Sequence, residues 1–578
     1  MISVKGSHMK KVPVYIFYFL MMLFLFSTHL IAQQTNNLQV IWTIPGNPIL
    51  RSFGHDLAHG DIDNDGHQDI LVSADTFTGA GPGISYRGRV YLFYGNNIGD
   101  TTPDVAFKSP FEEGSPRTKV HSADLNGDGF DDIIMGQGEA DSGFGKVTIF
   151  FGGNPVDTVP DIVLSGSHGW PIFDGLFGDA ISSGDVNGDG YTDLIIGSCL
   201  TADILVSPFM GRVYIYYGGP NFDTIPDVIL NGGHQFGSQL YDEQFGSSVS
   251  GNGDVNNDGF SDVIVGAHTF GMQYQGRIYI YFGGNPMDTS YDIAMMGEPS
   301  EFLGEFGVDF IRNNHSFDFD YAVTCTPFWR PGPPPTYSRG KVYVLKGGNP
   351  MDSIPDICMI GRTDTCWFGY CAKSAGDLNG DGNDELIVGA PLEYDERGTV
   401  YIWLGGSYLD TIPDAWMSGE VNDVIGWTVG SAGDIDNDGL NEVMFSNYPA
   451  PYSRQRVWVC KYTGQGIEEN YQPHSIIRLP LEVYPNPART HLTVRIPQTL
   501  KSEMLNQVQH DNVEIKIYDV MGKMVKILEA RGKRQETGAC EIRWDLRDEK
   551  QKRVANGIYF VRLKTKDYDA TKKMVMLR

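Results

Sequence analysis

The pattern acid-x-Asp/Asn-x-Asp-Gly-x-x-acid recurs six times between Asp61 and Glu442, starting at Asp61, Asp124, Asp185, Asp254, Asp377 and Asp434. A hard cation such as calcium takes six to eight oxygen ligands at about 2.3–2.6 Å, so a short loop must turn sharply and point alternate side chains inward. The glycine at the sixth position permits that turn. Positions 1, 3, 5 and 9 then supply side-chain oxygens, and position 7 can add a carbonyl. The donors are Asp61, Asp63, Asp65 and Asp69; Asp124, Asn126, Asp128 and Asp132; Asp185, Asn187, Asp189 and Asp193; Asp254, Asn256, Asp258 and Asp262; Asp377, Asn379, Asp381 and Glu385; and Asp434, Asp436, Asp438 and Glu442. Two like charges 4 Å apart repel by about 4 kcal/mol at an effective dielectric near 20, so these loops are expected to loosen without metal. An EF-hand would place a glutamate at position 12 between two helices. Here position 12 is apolar in every copy (Val72, Met135, Ile196, Val265, Val388 and Phe445), and the flanks read as short buried strands.

Those loops must be carried by a repeated element, and a repeat of about 60 residues decides the architecture. Each unit opens with an apolar strand such as Asp161–Gly166. Most then show Phe-Gly or a relative: Phe53-Gly54, Phe177-Gly178, Phe245-Gly246, Phe306-Gly307, Phe368-Gly369 and Ile425-Gly426. The metal loop and its strand follow, and an aromatic-rich strand such as Gly211-Arg-Val-Tyr-Ile-Tyr-Tyr217 ends the unit. Seven such closing strands, from Gly88–Tyr94 to Arg456–Cys460, with four strands per unit, predict an all-β chain folded as a seven-bladed antiparallel propeller. Glycine-containing linkers comparable to Gly152-Gly-Asn-Pro-Val-Asp-Thr-Val-Pro-Asp161 follow six of the seven closing strands, and the missing one falls after Cys460, where the ring would end. Gln39–Ile44 occupies the opening-strand place of the first unit, so the two ends of the ring are expected to meet. The fifth unit has Arg312, Asn314 and Ser316 where donors should precede Asp320, and is expected to be metal-free.

The run from Phe177 to Gly197, with Gly389-Ala390-Pro391 elsewhere, resembles the FG-GAP repeat of integrin alpha-chain propellers over about residues 38–463. The resemblance implies calcium in hairpin loops on one face, at about six sites, and a ligand engaged on the other. Loops expected on that other face carry Phe77, Tyr86, Phe209, Phe270, Tyr274, Trp329, Tyr337, Tyr394, Tyr448 and Tyr452. Rigid scaffolds carrying aromatic loops commonly build binding faces. The same loops could equally pack on one another as plain connections.

The chain has 578 residues and a net charge of −28, distributed as −35 before residue 481 and +7 after it. The acidic part disfavours nucleic acid, which needs a basic surface. Lys10-Lys11, the apolar run Val12–Phe26 and Ala32 read as a secretory signal. Seven scattered cysteines make no disulfide scaffold; Cys366 and Cys371 could pair or stay free. The last hundred residues alternate short β-rich segments with turns and predict a small Ig-like β-sandwich. Val483-Tyr-Pro-Asn-Pro-Ala488, Ile517-Tyr-Asp-Val-Met-Gly522 and Ala555–Arg562 resemble the type A sorting domain of the type IX secretion system. That resemblance implies engagement of the type IX machinery, display at the outer-membrane surface or release, and membrane association only through anchoring after export. The expected organisation is therefore a signal peptide (1–32), a propeller (33–463), a linker (464–480) and a sorting domain (481–578).

The leading functional expectation is a secreted or cell-surface calcium-binding propeller, non-enzymatic, that binds an extracellular protein or glycan in adhesion. The alternatives are an extracellular polymer-degrading hydrolase or lyase, and a ligand-free spacer. No Gly-x-Ser-x-Gly or His-Glu-x-x-His motif supports the enzyme. His55 and His59 have the spacing of a metal pair but fall within the Phe-Gly segment, where a strand is expected.

Overall fold

Each strand that follows an acidic loop is an unbroken apolar run, as in Leu194-Ile-Ile-Gly197, and such a run requires burial on both faces. A blade stacked between two neighbours provides that environment. The computed structural model describes residues 35–464 except 47–49, 79–84, 112–116, 170–171, 204–208, 234, 237–238, 241, 314–318, 331–337, 407–408 and 448–454. It further describes 482–484, 491–496, 514–519, 524–529, 540–547, 552–554, 557–564 and 569–576. The expected signal segment and most of the expected linker lie outside the described residues, as does Leu500–Asp511, which departs from the sorting-domain pattern and reads as an insertion between two strands.

Seven antiparallel sheets of at least four strands follow one another from residue 35 to residue 462. Blade three shows the pattern: inner strand Ala180–Gly184, second strand Asp193–Ser198, third strand Arg212–Tyr216 and outer strand Val228–Asn231. Every residue of its second strand is buried, as are those of Asp132–Gln137, Asp262–Ala267, Tyr321–Thr326, Leu386–Ala390 and Glu442–Asn447. Seven apolar clusters, one at each interface between successive blades, form the core. The last joins Trp42, Ile44, Val457 and Val459 of blade seven to Phe53, Ile70 and Tyr91 of blade one, so the ring is closed.

Two features differ from the expected arrangement. The sequence unit is offset from the blade by one strand: Ile162–Ser165, expected to open a unit, hydrogen-bonds to Lys146–Phe150 and forms the outer edge of the preceding blade. For the same reason the N-terminal strand Leu38–Pro45 pairs with Arg456–Tyr462 and completes blade seven, although it stands first in the first unit. Ahead of it, Thr35–Asn36 pairs with the outer strand of blade six.

The Phe-Gly motif plugs interfaces between blades, although the second unit lacks it. Phe177, Phe245 and Phe368 are buried between blades, while the following glycines adopt φ of +80° to +89°, a region L-residues avoid. In blade five the residues in this place are Leu303-Gly304, not Phe306-Gly307: Leu303 bridges Gly276 as Phe245 bridges Gly211, and Gly304 has φ +85°. Leucine fills the same apolar volume, which frees Phe306 for another role.

Close approach between blades also explains Gly184. A Cβ there would lie 1.5 Å from the Gly251 carbonyl oxygen of the next blade. Gly184→Ala is therefore expected to destabilise the propeller by about 3 kcal/mol, read as a lower denaturation midpoint.

The chain divides into two units after Gly466. The second unit has one sheet of Glu482–Tyr484, Leu492–Ile496 and Cys540–Trp544, and another of Met524–Glu529, Glu514–Asp519, Gly557–Lys564 and Asp569–Met576. Buried Trp544 of the first sheet meets Tyr559 of the second edge to face, with ring centroids 6.2 Å apart.

Candidate metal centres and the opposite face

The six acidic loops, numbered by their blades as one, two, three, four, six and seven, join inner to second strands, so they share one face of the ring. Their local geometry follows from residue type. Position 1 closes the turn: in loop one the Asp65 and Gly66 amides each donate to Asp61 at 3.0 Å, and in loop seven Asp438 and Gly439 donate to Asp434 at 3.0 and 2.8 Å. Position 5 accepts the amide of position 7, as from Tyr191 to Asp189 at 3.0 Å. Two residues need the left-handed region. Position 6 is glycine at φ +87° to +90°, and position 4 is Asn64, Gly127, Gly188, Asn257, Gly380 or Asn437, with φ between +53° and +78°. Position 4 was not singled out from the sequence, although its restriction to Asn and Gly was visible there.

Position 9 ties the loop to the blade. Asp69, Asp132, Asp193, Asp262, Glu385 and Glu442 are at most 1% exposed. In each, one carboxylate oxygen accepts from the amide of the buried apolar residue at position 2, as from Val186 to Asp193 at 2.9 Å and Val255 to Asp262 at 2.7 Å. In five of the six, the other oxygen accepts from a glycine of the linker between third and outer strands: Gly95, Gly152, Gly218, Gly283 or Gly405. Burial pushes these carboxyls up, to about 8 for Asp69, Asp262 and Glu385 and about 7 for Asp132, Asp193 and Glu442. A nearby divalent cation inverts that preference by favouring the ionised form.

Carboxylate oxygens of Asp61, Asp63 and Asp69, of Asp377, Asp381 and Glu385, and of Asp434, Asp436 and Glu442 lie within 4.8 Å of one another in each group. Oδ1 of Asp63 is buried without a hydrogen-bond donor, an oxygen for which a cation would be the natural partner. In loops two, three, four and six the position-3 asparagine donates its amide to the position-5 aspartate at 2.8–3.2 Å, which keeps both oxygens at the mouth of the turn. These all-oxygen donor sets are of the chemistry a hard cation takes, although in the loop beginning at Asp434 the Lys461 ammonium already lies 2.6 Å from Asp436.

Neighbouring loops are also strung together. The position-8 amides of Asp131, Ser261, Asp384 and Asn441 donate to the position-1 carbonyls of Asp61, Asp185, Arg312 and Asp377, at 2.8–3.1 Å.

Blade five departs further than expected. Its register sets Tyr321 opposite Ile311, as Asp193 stands opposite Gly184. Asp320 therefore takes the position-8 place, and a buried tyrosine whose hydroxyl donates to the Gly406 carbonyl at 3.0 Å replaces the position-9 acid. Residues 314–318, including Asn314 and Ser316, lie outside the described residues.

On the opposite face the expected loop aromatics divide. Phe209, Tyr274 and Tyr394 are exposed, and Trp329 donates to Glu298 at 2.9 Å. Phe270 is fully buried beneath the Arg277 guanidinium, 4.0 Å from its ring centroid, so it lines no binding surface. The side chains of Phe77, Tyr86, Tyr337, Tyr448 and Tyr452 lie outside the described residues.

The contiguous aromatic surface is formed instead by five residues not anticipated from the sequence: Phe306, Phe328, Trp367, Tyr370 and Trp427. All are half-buried. Phe306 packs on Phe328 and Tyr370 at 5.1 and 4.9 Å, Trp367 lies near-parallel to Tyr370, and Tyr370 meets Trp427 at 4.2 Å. Phe306, Tyr370 and Trp427 stand at the start of the inner strands of blades five, six and seven, at the end away from the acidic loops. The signal was present: Tyr370 and Trp427 directly follow the motif glycines Gly369 and Gly426. Beside them, burial pushes Glu305 up to about 7.

His59 lies on the inner strand Leu57–Gly60, its Nδ1 2.7 Å from Gln68 Oε1, and burial lowers His55 to about 4. The described cysteines, Cys366 and Cys371 among them, are free.

The repeating plug-and-loop blade identifies the repeat. Residues 177–198, 245–281 and 374–403 match the FG-GAP repeat, and residues 61–135 match an FG-GAP-like repeat. FG-GAP repeats are present in the propeller. Residues 482–577 match a secretion system C-terminal sorting domain, a tail that marks the chain for export. The chain is 31% identical over 207 residues to integrin alpha-5 of Xenopus laevis, covering 34% of this chain and 18% of that one. It is 37% identical over 113 residues to integrin alpha-IIb of Mus musculus, covering 18% of this chain and 10% of the relative. With integrin alpha-8 of Mus musculus it shares 28% identity over 303 residues, covering 48% of this chain and 26% of the other. The chain thus spans about a quarter or less of these relatives' length. Among the described residues no helix is long and apolar enough to cross a membrane.

Proposed function

We propose that this chain is an exported, calcium-binding propeller that acts as a non-enzymatic adhesion module, taking an extracellular protein or glycan on the face opposite the acidic loops. The observation that carries this reading is the run of half-buried rings from Phe328 through Phe306 and Tyr370 to Trp427, at the inner-strand ends of three successive blades. Aromatic side chains present large contact area at small entropic cost and dominate binding hot spots. Calcium at the acidic loops rigidifies the scaffold beneath them. The sorting tail supports presentation outside the cell through the type IX route.

The test is an array of glycans and extracellular matrix proteins probed with the intact chain and with a Tyr370→Ala/Trp427→Ala variant. Binding by the parent that falls at least tenfold in the variant is expected, since losing two hot-spot rings costs more than about 1.4 kcal/mol. Silence across the array favours a ligand-free spacer. Binding unaffected by the variant moves the site elsewhere.

A further inference from the structure

Loop seven meets its own cation. Lys461, on the third strand of blade seven, extends its ammonium into the acidic loop, where Nζ lies 2.6 Å from Asp436 and 3.8 Å from Glu442 Oε1 and donates to Asp438. Asp436, Asp438 and Glu442 are three of the four side chains at which this loop would hold a divalent ion. Calcium needs those oxygens at about 2.3–2.6 Å, a position incompatible with a neighbouring ammonium that already holds two of them.

The register makes this a property of the blade. Val443 pairs with Cys460, so Lys461 is set across from Glu442 at position 9. The same place holds Tyr94, Phe151, Tyr217, Phe282 and Leu404 in the blades with the other five acidic loops. A lysine stands there in only one other blade: Lys346, in blade five, where the position-9 acid is replaced by Tyr321. Glu442 is also left short of a donor in this blade. Blade seven has no linker after its third strand, and the glycine amide that satisfies the second position-9 oxygen elsewhere is missing. Glu442 Oε1 is accordingly buried without a hydrogen-bond donor, and the nearby positive charge of Lys461 faces it.

We infer that Lys461 is a tethered counter-ion that replaces the metal in loop seven, so that the chain takes five calcium ions rather than the six its loop count suggests. Lys461 lies opposite Gln39 of the N-terminal strand, so in the blade that closes the ring one positive charge supplied by the chain itself offsets part of the loop's acid.

The inference rests on the calcium reading of the other loops, and native mass spectrometry of the calcium-loaded full chain separates the two. The expected counts are five ions for the parent and six for Lys461→Met, which keeps the aliphatic stem and removes the charge. Six ions in both, or five in both, overturns the role given to Lys461 while leaving calcium binding intact. No ions in the parent overturns the calcium reading and the inference with it. Where Lys461→Met fails to fold, Asp434→Asn/Asp436→Asn decides: an unchanged count of five supports the inference, provided Asp185→Asn/Asp189→Asn lowers it to four, and a fall to five from six overturns it.

Discussion

Dialysing calcium away is expected to lower the melting temperature of the propeller sharply, and to lower it more at pH 8 than at pH 5. A ligand at a hundredfold excess over its dissociation constant stabilises the fold by about 2.7 kcal/mol per site, and several sites act on one ring. The pH dependence comes from position 9. In the metal-free protein these buried carboxyls are raised to about 7 or 8, against an ordinary value near 4 in the unfolded chain. Between those values the folded state binds more protons than the unfolded one, so stability falls as pH rises. It falls through the window from about pH 4 to pH 8. Calcium holds the same groups ionised and removes that slope. Melting curves from pH 5 to pH 8, with and without calcium, check both parts. Curves that coincide with and without the ion contradict the proposed role of the loops.

The second large effect concerns closure. Deleting the chain through Pro45 removes the outer strand of blade seven, which pairs with Arg456–Tyr462 over its length. It also removes Leu38, Trp42 and Ile44 from two of the seven inter-blade clusters. Trp42 is 2% exposed, donates Nε1–H to the Asp100 carbonyl at 2.8 Å and meets Phe93 edge to face. Trp42→Ala alone is expected to cost about 3–5 kcal/mol. The deletion also leaves an unpaired strand edge, a template for association with other chains. It should convert a monodisperse protein into one that aggregates and is rapidly cleaved after blade six, as size-exclusion chromatography and limited proteolysis would show. A truncated protein that keeps the parent's melting temperature would mean that the ring is closed by something other than this strand.

Much of this was legible in the sequence because the loops are local. Nine residues with fixed positions for acid and glycine encode their own turn, and the repeat count then follows from spacing. What was hidden depends on pairing between distant segments. Nothing in Gln39–Ile44 tells whether it starts the first blade or finishes the last, because both arrangements bury the same alternating side chains. Phe306-Gly307 carries the expected letters, yet Leu303-Gly304 fills the plug, since the interface demands apolar volume and a left-handed glycine rather than a particular ring. Asp320 lies within one residue of the expected place, but register alone decides that Tyr321 faces Ile311. Aromaticity in loops was likewise a poor guide: Phe270 turns inward, while Tyr370 and Trp427, in the motif segments themselves, reach the opposite face. Lys461 reads as an ordinary strand-end lysine until the hairpin brings it across from Glu442.

The most direct test of the account is anomalous diffraction from crystals of the intact chain grown with calcium. The account predicts a closed seven-bladed ring with ion peaks in the loops beginning at Asp61, Asp124, Asp185, Asp254 and Asp377, all on one face. A ring whose acidic loops show no peaks, or an open stack of blades, would contradict it.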